Sequence, residues 1–197
     1  MRVRVVSDID RFTRAMDDAG RRHVPFAIAR ALTMTAKDAQ GDVRADLPKR
    51  FTIRNNWVSN GIRIKPATKT APEAIVGSLE PFMARQEAGG RKTARSGSRV
   101  AVPVNARRNK RAIIPKGQRP GALKGKPKVF LVKTASGAGI LRRLGKKRYP
   151  VQILYWLKRG VQVKPRFGFQ QTTGTTVRER FGPNFVEALS QAMGHRG

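Results

Sequence analysis

The chain has 197 residues, no cysteine and a formal net charge of +30, which excludes disulfide frameworks and thiolate metal sites and fits one domain with a real core. Its apolar fraction of 39% lies below the roughly 45–50% of average globular chains, as expected if a large polar segment is attached to an ordinary domain. Its apolar runs are shorter than the roughly 20 residues of a membrane span. Near the start, MRVRVVSDIDRF alternates charged and apolar residues where a signal peptide has an apolar block, so we expect a protein made in the cytoplasm.

The first residues predict a strand followed by a helix. RVRVVSD alternates at period two, which is typical of a short strand. We expect Ser7 or Asp8 to cap a helix that continues through Asp17 and ends at Gly20.

A long amphipathic helix is predicted next, beginning near Pro25 and ending at Pro48. Its apolar residues recur at spacing three or four, and its many alanines favour close packing on a sheet or on a neighbouring subunit. These residues are Phe26, Ala29, Leu32, Ala36, Ala39, Val43 and Leu47.

Two strands and a short helix follow. NNWVSNGIRIKPAT and PEAIVGSL have strand patterns, in which Ile62 and Ile64 match Ile75 and Val76, and TKTA is a plausible hairpin connection between them. EPFMARQEAGG predicts a short helix or turn, and its two glycines begin a basic excursion.

The basic excursion belongs to a window without acidic residues. Residues 88–178 contain 24 Lys and Arg and no Asp or Glu. Within this window RVAVPV and KVFLVKT have strand composition, whereas ARRNKR, PKGQRPGALKGKPK and ASGAG do not. The loop that joins the two strands is so rich in Gly, Pro and Lys that we expect it to bury nothing.

The C-terminal part predicts a strand and a helix. YPVQILYWL alternates as a strand does, and the final segment has apolar residues at spacing four, with Pro183 expected to kink or split the helix. The predicted apolar stripe consists of Val177, Phe181, Phe185, Leu189 and Met193.

The predicted fold class is α+β, in a single domain of residues 1–197. We expect a small, mostly antiparallel sheet packed by the long Ala-rich helix and the C-terminal helix, with residues 89–128 as a basic loop or arm.

Catalytic chemistry is not indicated. His23 and His195 stand alone, and the acidic pairs Asp8/Asp10 and Asp17/Asp18 fit helix starts and solvated helix faces. No glycine motif has nucleotide-binding spacing. We therefore expect no enzyme activity, no metal and no cofactor. A nuclease would need carboxylates that converge beside the basic surface, and Asp42 and Glu87 are the first to test.

The uncompensated charge predicts contact with a polyanion or with an acidic protein. Between Ala88 and Lys147 the only aromatic residue is Phe130, which disfavours base stacking, and the Pro and Gly content disfavours a recognition helix. Non-specific contact with phosphates or with carboxylates remains. The residues expected to make it are Arg91, Lys92, Arg95, Arg99, Arg107, Arg108, Lys110 and Arg111.

Three segments resemble the minor tail protein Z family, the tail completion proteins of lambda-like tailed phages. VPFAIARALTMTAKDAQGDVRADLPKRFTIRNNWV resembles the N-terminal helix of that family, GKKRYPVQIL its RYP segment, and RERFGPNFVEALSQAM its C-terminal helix. The segment IKPATKTAPEAIVGSLEPFMARQEAGG departs from this pattern and looks more like the broader head-tail joining proteins.

The resemblance implies a structural virion protein without catalysis, made in the host cytoplasm and added to the head-proximal end of the tail. Its expected partners are other tail and head-tail junction proteins and further copies of itself in a ring, a hexamer by family resemblance. The basic loops would contact the phage DNA or acidic neighbouring rings, and no membrane is involved. The alternative is a free, non-specific nucleic-acid-binding protein of the nucleoid or ribosome-associated type.

Overall fold

The computed structural model describes residues 1–6, 18–94, 99–134 and 137–194, with the backbone alone for residues 5, 6 and 18–22. In chain order the helices and strands are β1 (Arg2–Val6), α1 (Asp18–Arg50), α2 (Trp57–Asn60), β2 (Ile62–Lys65), β3 (Glu73–Ser78), α3 (Pro81–Ala88), β4 (Gly90–Thr93), β5 (Val100–Pro103), a 3-10 turn (Lys116–Gln118), α4 (Pro120–Leu123), β6 (Val129–Thr134), β7 (Gly137–Arg143), β8 (Val151–Lys158), β9 (Gly160–Val163) and α5 (Phe169–Gly194). The fold is α+β, as predicted.

The chain divides into two compact units. Unit 1 comprises Met1–Gly89 and Lys164–Gly197, and unit 2 comprises Gly90–Val163. The sequence pattern suggested one domain with a basic excursion from residue 89 to residue 128. Unit 2 begins at Gly90 and extends to Val163, since β5, which lies inside the expected excursion, pairs with the distant strand β8.

Helix α1 extends further toward the N-terminus than the sequence predicted. It includes Gly20 and Pro25, so the expected helix end at Gly20 is wrong, and the expected cap at Ser7 or Asp8 lies outside the described residues. Glycine weakens a helix by about 1 kcal/mol, and the buried side chains of Val24 and Ile28 offset such a cost. Pro48 lies inside the last turn.

The core of unit 1 forms between α1 and a three-stranded antiparallel sheet of order β1-β3-β2. The predicted apolar face of α1 is buried except at Phe26, which is 39% exposed and lies under the ammonium group of Lys69. Ile64 and Val3 both pair with Val76, so the predicted pairing of β2 with β3 is confirmed, although Ile62 pairs with Ser78 and not with Ile75.

Small residues bring α1 and α5 close together. Ala27 and Ala31 on α1 and Ala188 on α5 are all fully buried in one cluster. The alanine-rich character of α1 therefore serves a helix contact within the chain as well as the sheet contact.

A row of polar contacts also joins α1 and α5. Three carboxylates at spacing four on α1 accept hydrogen bonds from α5: Thr172 donates to Asp46 at 2.9 Å, Thr176 to Asp42 at 2.6 Å, and Asn184 to Asp38 at 2.8 Å. The Asn184 amide also lies 3.1 Å from the Thr35 hydroxyl.

This polar row shifts the buried face of α5 from the predicted apolar stripe. The fully buried positions of α5 are Phe169, Thr173, Thr176, Asn184 and Ala188. Phe181, Phe185 and Leu189 of the predicted stripe are partly buried, whereas Met193 is 61% exposed. Pro183 lies within the continuous helix.

Unit 2 contains a four-stranded antiparallel sheet of order β5-β8-β7-β6 and a two-stranded sheet of β4 and β9. The segment ASGAG was expected to be loop, but β7 begins at Gly137 within it, since glycine and alanine there pair with Lys133 and Thr134 of β6. The pairing of β7 with β8 changes register between Ile140, which pairs with Tyr155, and Leu141, which pairs with Ile153. Leu154 of β8 is therefore an extra residue, as in a β-bulge.

One face of the four-stranded sheet is covered by the basic segment between β5 and β6. Ala106 and Leu123 of that segment are buried against Ile140, Leu154 and Tyr155. The Tyr155 hydroxyl donates to the carbonyl oxygen of Gln118 at 2.7 Å. The expectation that this segment buries nothing is therefore wrong, because its few apolar residues are spaced so that they reach the sheet.

Candidate nucleic-acid interface

The positive charge of the chain is concentrated in unit 2. Residues 90–163 contain 21 of the 42 Lys and Arg and no Asp or Glu, so this unit carries +21 of the net +30. Unit 1 contains all twelve acidic residues and forms ion pairs such as Arg4–Glu73 and Lys49–Asp46. Unit 2 has no carboxylate side chain of its own with which to neutralise its cations.

A tight loop presents the centre of the predicted site. The Asn109 side-chain oxygen accepts hydrogen bonds from the backbone N–H groups of Arg111 at 3.1 Å and Ile113 at 2.9 Å. The Asn109 backbone N–H in turn donates to the Ile113 carbonyl oxygen at 2.9 Å, and Ala112 adopts a positive φ of 55°. Asparagine commonly organises turns in this way. The loop holds four exposed cationic residues, Arg107, Arg108, Lys110 and Arg111.

The other predicted residues lie on different elements. Arg91 and Lys92 are exposed in β4, which pairs with β9. Arg99 is half-buried just before β5, and its guanidinium donates to the Leu157 carbonyl oxygen at 3.3 Å. Arg95 lies outside the described residues. The predicted site is thus carried by separate elements of unit 2 and is not one loop.

The connection between β7 and β8 is a second basic surface that the sequence analysis did not assign. We call residues 144–149 the hairpin tip. Lys146, Lys147 and Arg148 are exposed there, and the Arg148 guanidinium lies 5.8 Å from the ring centre of Tyr149, which is 66% exposed. The acid-free window already included these residues, so the charge pattern alone could have indicated them.

The face of the four-stranded sheet opposite the basic segment holds an exposed aromatic residue. Trp156 is 41% exposed and lies in a row across the sheet with Val102, Gly139 and Val132. A Cβ atom on Gly139 would lie 3.4 Å from Cε3 of Trp156, an ordinary contact distance, so the indole lies against the strand at this glycine. A groove of about 890 Å³ opens here. The sequence analysis did not predict this aromatic surface, because it considered aromatic residues only between Ala88 and Lys147.

Burial raises the pKa of the Tyr155 phenol, and the positive charges of Arg108 and Arg119 oppose that rise. The phenol therefore remains protonated at neutral pH and can donate to Gln118. This bond ties the basic segment to the sheet.

Asp42 and Glu87, the two carboxylates named above as the first to test for a nuclease, both accept hydrogen bonds from α5. Asp42 accepts from Thr176, and the two oxygens of Glu87 accept from the first backbone N–H groups of α5, at Phe169 and Gln170, at 2.8 and 3.1 Å. Glu87 thus caps the N-terminus of α5, where a negative charge is stabilising. Across residues 1–6, 18–94, 99–134 and 137–194, no group of three or more His, Cys, Asp or Glu is placed to hold a metal ion.

In the part of the chain that the structure describes, no helix is long and apolar enough to cross a membrane. No family model, curated protein or solved structure matches this chain.

Proposed function

We propose that this protein is a structural, non-catalytic component of a phage virion at the head-proximal end of the tail, where copies form a ring and unit 2 faces DNA. The observation that carries the proposal is that unit 2 forms a compact fold with 21 Lys and Arg and no acidic residue. A fold with this self-repulsion needs a dense counter-charge. The assignment to a phage tail comes from the resemblance of three segments of the chain to tail completion proteins.

DNA fits the charge of unit 2 better than an acidic protein ring does. A duplex carries one negative charge per roughly 1.7 Å of its axis, which matches cations spread over several elements. A protein interface, in contrast, has few charges at its centre and is bounded in area. Exposed cations of unit 2 lie on β4, on the loop around Asn109, on the hairpin tip and at the end of β8, so they suit a long, uniformly charged partner.

An exposed aromatic patch on unit 1 favours an assembly over a free nucleic-acid-binding protein. Trp57 and Phe82 stack with ring centres 5.8 Å apart, and Leu79, three residues before Phe82 in the sequence, is 68% exposed. Exposed aromatic and leucine side chains of this kind are typical of surfaces that subunit contacts bury. A free binding protein of the alternative type has no use for such a patch.

The DNA contact is tested by removing three positive charges from unit 2 in one variant and three from unit 1 in another. One variant changes Lys146, Lys147 and Arg148 of the hairpin tip to Gln. The matched control changes three exposed cations of unit 1, Arg30, Lys37 and Lys65, to Gln. Binding to a duplex of about 30 base pairs is followed against salt concentration, where each lost phosphate contact lowers the slope by about 0.9.

We expect the hairpin-tip variant to lose affinity and salt slope, and the control to change little. Equal losses in both variants would mean that net charge alone governs binding. An unchanged duplex affinity in the hairpin-tip variant, with loss of binding to poly-glutamate, would assign unit 2 to an acidic protein instead.

The virion assignment is tested with the particle itself. Limited proteolysis with mass spectrometry compares the isolated chain with the intact phage. We expect the chain in the particle, with sites between Arg91 and Lys128 protected relative to the isolated chain. Absence of the chain from the particle, together with duplex binding by a monomer, would establish the free nucleic-acid-binding alternative.

A further inference from the structure

We propose that the open face of the four-stranded sheet in unit 2 binds single-stranded nucleic acid, with Trp156 as the residue on which an unpaired base stacks. The inference rests on the proposed function in that both assign a nucleic acid to unit 2. It adds a second mode of contact, one that recognises exposed bases and not only phosphates.

The first argument is the position of the indole. Trp156 is opposite Gly139 on β7, and its ring lies against the strand, with Cε3 3.4 Å from the place that a Cβ atom of this glycine would take. Val102 on one side and Val132 on the other complete an apolar row across four strands. An aromatic ring supported by a rigid sheet and open to solvent is the arrangement on which single-strand binders stack bases.

The second argument is the charge around the groove. Arg99, Lys158 and Arg159 line it together with Trp156, and Lys158 and Arg159 are exposed. No carboxylate exists anywhere in residues 90–163 to repel a phosphate. Cations at the edge of an aromatic surface allow a strand to place its phosphates on the rim and a base on the ring.

The third argument is that other partners fit this face less well than a single strand does. A duplex keeps its bases stacked inside and presents phosphates first, so it has no planar apolar surface to offer to Trp156. An acidic protein segment would satisfy the cations but would leave the indole without a matched partner. A second copy of unit 2 would bring the same positive charge to the same place, which disfavours it.

The two tryptophans make a direct test possible. In a Trp57→Phe protein, Trp156 is the only indole, and Phe retains an aromatic partner for Phe82. An oligothymidine of about 20 nucleotides, longer than one site of 4–16, is expected to quench its fluorescence. A duplex with the same number of phosphates is expected to bind while changing the emission far less.

The affinity is then compared between variants. Trp156→Leu is expected to lower the affinity for the oligothymidine about tenfold, given the usual effect of one stacked base, and to change duplex affinity less than about twofold. The matched control is Phe26→Leu, which removes an aromatic residue of similar exposure, 39% against 41% for Trp156, from unit 1 and should retain oligothymidine binding.

A measurement on the intact side chain guards against misfolding of the Trp156 variant. Oligothymidine that carries 5-iododeoxyuridine is cross-linked to the Trp57→Phe protein by ultraviolet light, and the attached peptide is identified. A cross-link at Trp156 supports the proposal. Cross-links confined to Tyr149, equal loss in the Phe26 variant, or equal quenching by poly-glutamate would overturn it.

Failure here is distinguishable from failure of the proposed function. If the oligothymidine leaves Trp156 unquenched while the hairpin-tip variant still loses duplex affinity, the stacking site is wrong and the DNA contact of unit 2 stands. If neither nucleic acid binds, both proposals are wrong.

Discussion

Units 1 and 2 are stabilised in different ways. Among the described residues, the main core cluster of unit 1 has thirteen buried members, which connect α1, the three-stranded sheet and the start of α5. The core cluster described in unit 2 has five, Ala106, Leu123, Ile140, Leu154 and Tyr155. Unit 1 also pairs some of its cations with carboxylates of its own, whereas unit 2 contains no carboxylate side chain. The larger apolar burial and the smaller net charge both favour a higher stability of unit 1 than of unit 2.

This difference indicates a division of labour within one chain. A unit with a large core and internal ion pairs can hold its shape alone. A unit with a small core and a charge of +21 gains stability when a polyanion removes the repulsion between its cations. The surface that costs unit 2 stability is therefore the surface on which its proposed function depends.

Core truncation should give the largest effect and should separate the units most clearly. Phe169 is buried in unit 1 beside Phe167, with ring centres 5.4 Å apart. We expect Phe169→Ala to lower the free energy of unfolding by about 3–5 kcal/mol and Leu123→Ala in unit 2 by about 2–3 kcal/mol. Hydrogen exchange by mass spectrometry, resolved by residue range, checks each. Equal loss of protection in both units after either change would break the comparison.

Ligand binding should stabilise unit 2 selectively. A duplex at about 100 times its dissociation constant is expected to stabilise the bound state by about 2.7 kcal/mol. Hydrogen exchange should therefore slow in residues 99–134 and 137–163, with little change in residues 24–50 and 169–194. High salt without DNA should also slow hydrogen exchange in unit 2, but by less, because salt screens the repulsion between its cations. Slower exchange confined to unit 1 would contradict the assignment of the DNA contact.

The polar contact between α1 and α5 should matter for unit 1 alone. Asn184→Ala removes the donor that serves Asp38 and Thr35. Because buried polar groups lose their partners, we expect a loss of about 1–3 kcal/mol in the free energy of unfolding. Chemical denaturation measures it, and duplex affinity should be unchanged. A matched loss of duplex affinity would show that the two units are coupled.

The smallest expected effect is a pH dependence in unit 1. Hydrogen bonds from Lys49 and Thr172 hold the pKa of Asp46 below its usual value of 3.8. Since its pKa is lower in the folded state, this contribution to stability is present above the unfolded pKa and is lost as pH falls through the folded pKa. We expect unfolding midpoints to fall on acidification below about pH 4, less so in Asp46→Asn. Identical acid profiles in both proteins would refute this role for Asp46.

Some features could be predicted from the sequence because they depend on local patterns. The apolar repeat of α1 marked its buried face, and the alternation around Ile64 and Val76 marked two strands that pair through a short connection. The acid-free window, residues 88–178, is a count along the chain that needs no structure, and it includes all of unit 2. These patterns need only the periods of a helix or a strand and the signs of the charges.

Other features were decided by tertiary structure alone. The pairing of Val102 with Trp156 joins residues far apart in sequence, and the extra residue at Leu154 turns the following side chains to the other face. The acidic row of α1 selected Thr and Asn as the buried line of α5. Composition and charge along the chain thus established an α+β protein with a strongly basic region. Only long-range contact placed Trp156 in the open and Leu123 inside, because burial depends on which distant strand or helix lies opposite, and local periodicity contains no record of that partner.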